Sequence, residues 1–114
     1  MEDCIFCKIV SGDIPSEIVY QDDEVFAFKD INAQAPVHIL AVPKKHIASI
    51  NDLTAEDANL MGTILLKLKE ISQRYPELNK GYRIVTNCGR ESGQSVFHIH
   101  FHLLGGRLMR WPPG

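Results

Sequence analysis

The chain has little of what marks membrane, secreted or polyanion-coating proteins. None of its apolar runs approaches the length of a bilayer span. Net charge is only −2, which argues against a protein that coats nucleic acid. Proline and glycine are few and scattered, six and eight residues, so no segment reads as disordered or as a linker. Internal repeats are absent as well. The start, Met1-Glu2-Asp3-Cys4, carries acids where a signal peptide would carry a basic region and then an apolar stretch, so a cytoplasmic protein is expected. Cysteine is sparse too: Cys4, Cys7 and Cys88. In a cytosolic chain a Cys-x-x-Cys pair more often binds metal or does redox work than forms a structural disulfide.

With 45% apolar residues, 114 residues suffice to bury a core, and one domain over 1–114 is expected. Charge is uneven: residues 1–57 hold eleven acids and four bases, residues 58–114 three acids and eight bases. A basic C-terminal half suits a small anionic substrate.

Residues 4–11 read as a short helical turn ending at Gly12. Strands are predicted at 18–20 and 25–29, joined through Gln21-Asp22-Asp23-Glu24, and at 37–42 up to Pro43. Thr54 reads as the N-cap of an amphipathic helix whose apolar face is Met61, Ile64, Leu65, Leu68, Ile71 and Tyr75, stopped by Pro76. Further strands are predicted at 82–87 and 96–104, around a loop at 88–93, with Gly105-Gly106 as the break before an extended tail. The pattern is α+β: a mainly antiparallel five-stranded sheet, one long helix and a short N-terminal helix.

The last strand carries the chemistry. His98, His100 and His102 alternate strictly with Ile99, Phe101 and Leu103. In a strand that spacing sets three imidazoles on one face, roughly 7 Å apart, and the apolar residues on the other. A row of groups that titrate near neutrality suits proton transfer, nucleophilic attack or metal binding. The loop before it, with Asn87, Gly89, Gly93 and Ser95, reads as an anion cradle of backbone amides and neutral side chains.

His98-Ile99-His100-Phe101-His102-Leu103-Leu104, entered through Gly93-Gln94-Ser95-Val96, resembles the motif of the histidine triad (HIT) family. Nearly the whole chain is similar to its HINT branch, including Phe28-Lys29-Asp30-Ile31, Ala35-Pro36-Val37-His38, Pro43-Lys44-Lys45-His46-Ile47 and the closing Trp111-Pro112-Pro113-Gly114. The resemblance implies a HIT-like fold and hydrolysis or transfer at the α-phosphate of a purine nucleotide, typically an adenosine 5′-phosphoramidate. His100 would be the nucleophile and form a nucleotidyl-histidine. His102 would contact the phosphate or leaving group, and His38 would orient His100.

By the same resemblance, Asn87, Gly93, Gln94 and Ser95 would hold the phosphate, with Ser95 assisting leaving-group protonation. Asp30 would accept from the ribose, and Phe6, Ile9, Ile14, Phe28, Ile31 and Leu40 would form the base slot. The cysteine pair departs from eukaryotic HINT proteins. As in bacterial relatives, it implies a structural zinc held by Cys4, Cys7, His46 and His98, a donor set suited to tetrahedral coordination. With no magnesium motif or Walker loop, no metal is expected in the chemistry itself. A homodimer is implied, with Trp111 near the partner's active site, and neither a nucleic-acid polymer nor a membrane as partner. A dinucleoside polyphosphate hydrolase and a nucleotide-binding regulatory module are the alternatives. The Trp-Pro-Pro-Gly tail counts against the first. Arg110 stands where HINT relatives often carry histidine.

Overall fold

The computed structural model describes residues 3–114, so Met1 and Glu2 of the acidic start lie outside the described residues. Helix α1 (Ile5–Ser11) leads into strands β1 (Ile18–Gln21), β2 (Val25–Lys29) and β3 (Val37–Pro43). Helix α2 (Ala58–Ser72) follows, then β4 (Tyr82–Val85) and β5 (Phe101–Gly105). The five strands form one sheet in the order β1-β2-β3-β5-β4, every neighbouring pair antiparallel.

Local chemistry explains the connections. At the β1–β2 turn one Asp22 oxygen accepts from the amides of Glu24 and Val25, both at 2.8 Å, which closes the hairpin. Tyr20 Oη donates to the other oxygen at 2.6 Å. At the start of α2 the Asp57 carboxylate accepts from Thr54 N at 3.0 Å and from Lys45 Nζ at 2.7 Å. The helix therefore opens with a 3₁₀ turn, Ala55–Asp57, and becomes α-helical one turn after the predicted cap.

Strand alternation divides the core in two. Val25, Ala27, Ile39, Ala41, Ile99, Phe101 and Leu103 meet Ile64, Leu68 and Ile71 of α2. Phe26, Phe28, Leu40 and Val42 point the other way, toward Phe6 and Ile9 of α1. Covered on both faces, β3 is buried along its full length. Fully buried Ile64 and Leu68 each contribute about 1.5–3 kcal/mol of transfer free energy. Gly105 belongs to β5 instead of breaking it, paired with Val37 on one side and Tyr82 on the other, and Leu78 packs where a Cβ would stand. Among the described residues, no helix is long and apolar enough to cross a membrane.

Two predicted strands are shorter than the sequence pattern suggests. β4 stops at Val85, and there the Thr86 hydroxyl donates to His100 O at 2.8 Å. The last strand begins at Phe101, so of the three histidines only His102 lies in it. β3 ends at Pro43, opposite Ile99 by register, and residues 94–99 bond to Pro43 and to the segment that follows it. His98 Nε2 donates to Pro43 O at 2.7 Å, and Ile99 N to Ile47 O at 2.6 Å.

Candidate active site and metal centre

The break in strand geometry sends the histidines to two different places. His98, with no exposed surface, turns toward Cys4, Cys7 and His46. His100 and His102 stay together, ring centroids 5.0 Å apart, over the face that carries Phe6 and Leu40.

A cavity of about 540 Å³ opens on that face. Of the residues expected at a nucleotide site, it gathers His100, His102, His38, Asp30, Ser95, Phe6, Ile9, Ile14, Phe28, Ile31 and Leu40. It adds Ile5, Pro15, Ser16, Lys29, Asn32, Gln34 and Val96, to which the sequence assigned no role. Phe6 anchors its apolar end, edge-on to Phe28 at 5.6 Å and to His100 at 4.9 Å between centroids. Asn87, Gly93 and Trp111 are not brought to its lining; Gly93 turns the loop in the left-handed region (φ 99°), and Trp111 is 82% exposed. Gln94 is buried, and its amide is bonded to the main chain of its own loop and of Ala48.

The register places His102 opposite Leu40 and His38 opposite Leu104, so the two histidines are diagonal neighbours across β3 and β5. His38 Nε2 lies 2.9 Å from His102 Nδ1. Their protons follow from a main-chain amide. Gln34 N, which can only donate, points at His38 Nδ1 from 3.0 Å. His38 therefore carries its proton on Nε2 and donates to His102 Nδ1, which leaves the His102 proton on Nε2. His38 thus orients His102, not His100 as the resemblance implied.

His100 is set by a different group. Its Nδ1 sits 2.8 Å from the carbonyl oxygen of His98, an acceptor only, so Nδ1 bears the proton and Nε2 keeps a lone pair. Two adjacent rings thus differ in what they present, His100 a lone pair at Nε2 and His102 an N–H. Burial keeps His102 neutral. It pushes His102 down to about 4, with the neighbouring His100 and His38 adding to the shift and Asp30 opposing it. Burial lowers His38 also, again against the pull of Asp30, whose Oδ2 is 3.4 Å from Nε2. The other Asp30 oxygen accepts from Asn32 N at 2.8 Å, which fixes the carboxylate at the cavity rim.

The second cluster is suited to a metal ion. One donor atom from each of Cys4, Cys7, His46 and His98 falls within 4.8 Å of all the others. Cys4 Sγ to His98 Nδ1 is 3.3 Å, Cys7 Sγ to His46 Nδ1 3.4 Å, and Cys7 Sγ to His98 Nδ1 3.5 Å. A tetrahedral zinc with ordinary bond lengths needs a sulfur–nitrogen edge of about 3.6 Å. The bond from His98 Nε2 to Pro43 O turns the Nδ1 lone pair toward the sulfurs and fixes the ring there. The fourth donor comes from the start of α1, where Cys4 is the N-cap and accepts from Cys7 N at 3.3 Å.

A wider cleft of about 790 Å³ lies between the β4 edge and the tail. Its guanidiniums are committed to the main chain, Arg83 to Arg110 O at 2.8 Å and Arg107 to Gln34 O at 3.0 Å.

Residues 3–110 match the family described as scavenger mRNA decapping enzyme C-term binding. An uncharacterised HIT-like protein of Synechococcus elongatus is 51% identical, the alignment covering 99% of this chain and 98% of the relative. A HIT-like protein of a Synechocystis strain is equally similar, at 51% over 99% and 98%. Among solved structures, a HIT family hydrolase from Legionella pneumophila superposes with a TM-score of 0.96 at 50% identity, covering 98% of this chain and 100% of that one. A HIT family hydrolase from Clostridium thermocellum gives 0.93 at 44% identity, covering 96% of each chain.

Proposed function

The chain belongs to the histidine triad family, and on that premise we propose that it is a purine nucleoside phosphoramidate hydrolase. One observation carries the reading: His100 and His102 are held in opposite tautomers by fixed partners at the polar end of an apolar cavity. The base would occupy the slot between Phe6, Ile9, Phe28 and Leu40, and the ribose hydroxyls would donate to Asp30. The α-phosphate would then lie against His102 Nε2–H and the Ser95 hydroxyl.

His100 Nε2 attacks phosphorus, the phosphorus–nitrogen bond of the substrate breaks, and the leaving nitrogen takes a proton that the Ser95 hydroxyl passes on from solvent water. The phosphorylated ring is cationic, and its Nδ1–H remains bonded to His98 O, which stabilises that charge. Water then attacks phosphorus and gives up a proton to solvent, the bond to Nε2 breaks, His100 Nε2 regains its lone pair, and the nucleoside monophosphate leaves.

Charge favours a substrate with one phosphate over a polyphosphate. Lys29 is the one cationic side chain among the cavity-lining residues, and its ammonium is already 2.8 Å from Glu17. Zinc held by Cys4, Cys7, His46 and His98 would tie α1 to the segment entering the triad, a structural cross-link without a part in bond breaking.

The proposal includes a homodimer. β4 is an edge strand, and Leu66, Leu108 and Trp111 are 60%, 87% and 82% exposed, apolar surface for a second copy to cover. Turnover of a fluorogenic adenosine phosphoramidate beside a diadenosine polyphosphate tests the substrate assignment. A kcat/KM at least about a hundredfold higher on the phosphoramidate, ~2.7 kcal/mol in transition-state binding, is the predicted result. Preference for the polyphosphate would overturn it.

A further inference from the structure

Gln94 stands in the loop that precedes the triad, yet its side chain is closed to any substrate. The residue is 4% exposed. Its Nε2 donates to Ala48 O at 2.8 Å and to Val96 O at 3.1 Å, while Oε1 accepts from Gly89 N at 2.9 Å. Both amide protons and the carbonyl are thereby occupied. Its own main-chain N–H donates to Gly89 O at 3.2 Å, so the backbone donor is occupied also.

The three partners lie at informative places. Gly89 begins the loop and Val96 follows its last residue, so the side chain spans the loop from end to end. The bond from Gln94 to Val96 O brackets Ser95, the residue of this loop that faces the nucleotide cavity and remains exposed. Ala48 lies two residues beyond His46, on the segment that also receives Ile99 N at Ile47 O. Main-chain bonds of a strand would do this joining elsewhere in the sheet. Here β3 has ended, and a side chain replaces the ladder.

We propose that Gln94 is a positioning residue for catalysis, acting through Ser95: it fixes the Ser95 main chain so that the hydroxyl meets the α-phosphate and the leaving nitrogen. The inference rests on the nucleotide-hydrolase reading above. A primary amide is required by count. The site needs two donors and one acceptor on one planar group, which glutamate and methionine lack and which asparagine holds one methylene short. Without the amide, Ala48 O, Val96 O and Gly89 N lose the partner that the buried Gln94 side chain supplies.

The test is a double-mutant cycle of Q94M and S95A. Metal content and far-UV circular dichroism serve as controls of folding, and Q94N takes the place of Q94M should that variant fail them. In the parent background S95A is expected to lower kcat on the fluorogenic adenosine phosphoramidate about tenfold or more. Q94M alone should lower it similarly, with a smaller change in KM. In the Q94M background S95A should change kcat by less than about twofold, because the hydroxyl is already misplaced. Full additivity, or a Q94M protein within about twofold of the parent, overturns the inference. AMP affinity by calorimetry carries the same cycle for a protein that binds nucleotide without turning it over. Loss of the hydrolase reading is thus told apart from loss of this one.

Discussion

His38 Nε2 donates to His102 Nδ1 across 2.9 Å, and the amide of Gln34 on the far side of the His38 ring permits no other direction. The consequence reaches the other ring nitrogen two bonds away, where His102 presents N–H to the cavity instead of a lone pair. Replacing His38 by alanine frees His102 Nδ1 to take the proton and lose the donor. The kcat on an adenosine phosphoramidate should fall about tenfold or more, at least ~1.4 kcal/mol on the barrier. Affinity for AMP should change less. An unchanged kcat would show that the His38–His102 bond has no part in orienting the site.

Acid should unfold the protein partly through His102. Its folded value of about 4 lies below the ordinary 6.5, so between those pH values the unfolded chain binds more protons than the folded one. The stabilising contribution is complete above about pH 6.5 and is lost as pH falls toward 4. Burial lowers His38 in the same sense. Melting temperatures from pH 7 to 4 should therefore decline less steeply for H102Q than for the parent. Parallel curves would contradict the buried, neutral assignment.

Metal removal should act on the fold before the chemistry. Chelation, or Cys7→Ala, should lower the melting temperature, while protein that stays folded keeps its kcat within a few-fold. X-ray absorption should find sulfur about 2.3 Å from the ion. Elemental analysis well under one zinc per chain after metal-replete expression would exclude the assignment.

The tail is anchored beside the triad, since Arg107 donates to Gln34 O while Gln34 N sets His38. Removing residues 108–114 should weaken dimerisation and alter leaving-group preference, with the α2-packed core retained. Light scattering of the parent at micromolar concentration should give a dimer. A monomer would rule out the shared arrangement.

Much of this was legible in residue types. Alternation through β2 and β3 marks both core layers, and the spacing of Met61, Ile64, Leu68 and Ile71 marks α2, because side-chain burial leaves a period in sequence. Alternation misled at residues 96–100. The pattern of a strand continues there, but β4 has stopped at Val85, β3 ends opposite Ile99, and bonds to residues 43–48 replace the ladder. His98 therefore leaves the row for the cysteines. The groups that set the tautomers, Gln34 N–H and the His98 carbonyl, are main-chain atoms common to every residue, so no motif could announce them. Gln94 was visible as a polar loop residue, but not that its amide faces inward, since the Ala48 carbonyl it meets is remote in sequence.

The central claim is that His100 Nε2 attacks the α-phosphate. The most direct measurement is kcat/KM of the parent and of His100→Ala on a fluorogenic adenosine phosphoramidate, with AMP affinity determined alongside. The parent should turn the substrate over, and the variant should bind AMP nearly as well while its turnover disappears into the background. A variant that hydrolyses the substrate within about tenfold of the parent, an effect of only ~1.4 kcal/mol on the barrier, would contradict covalent catalysis by His100.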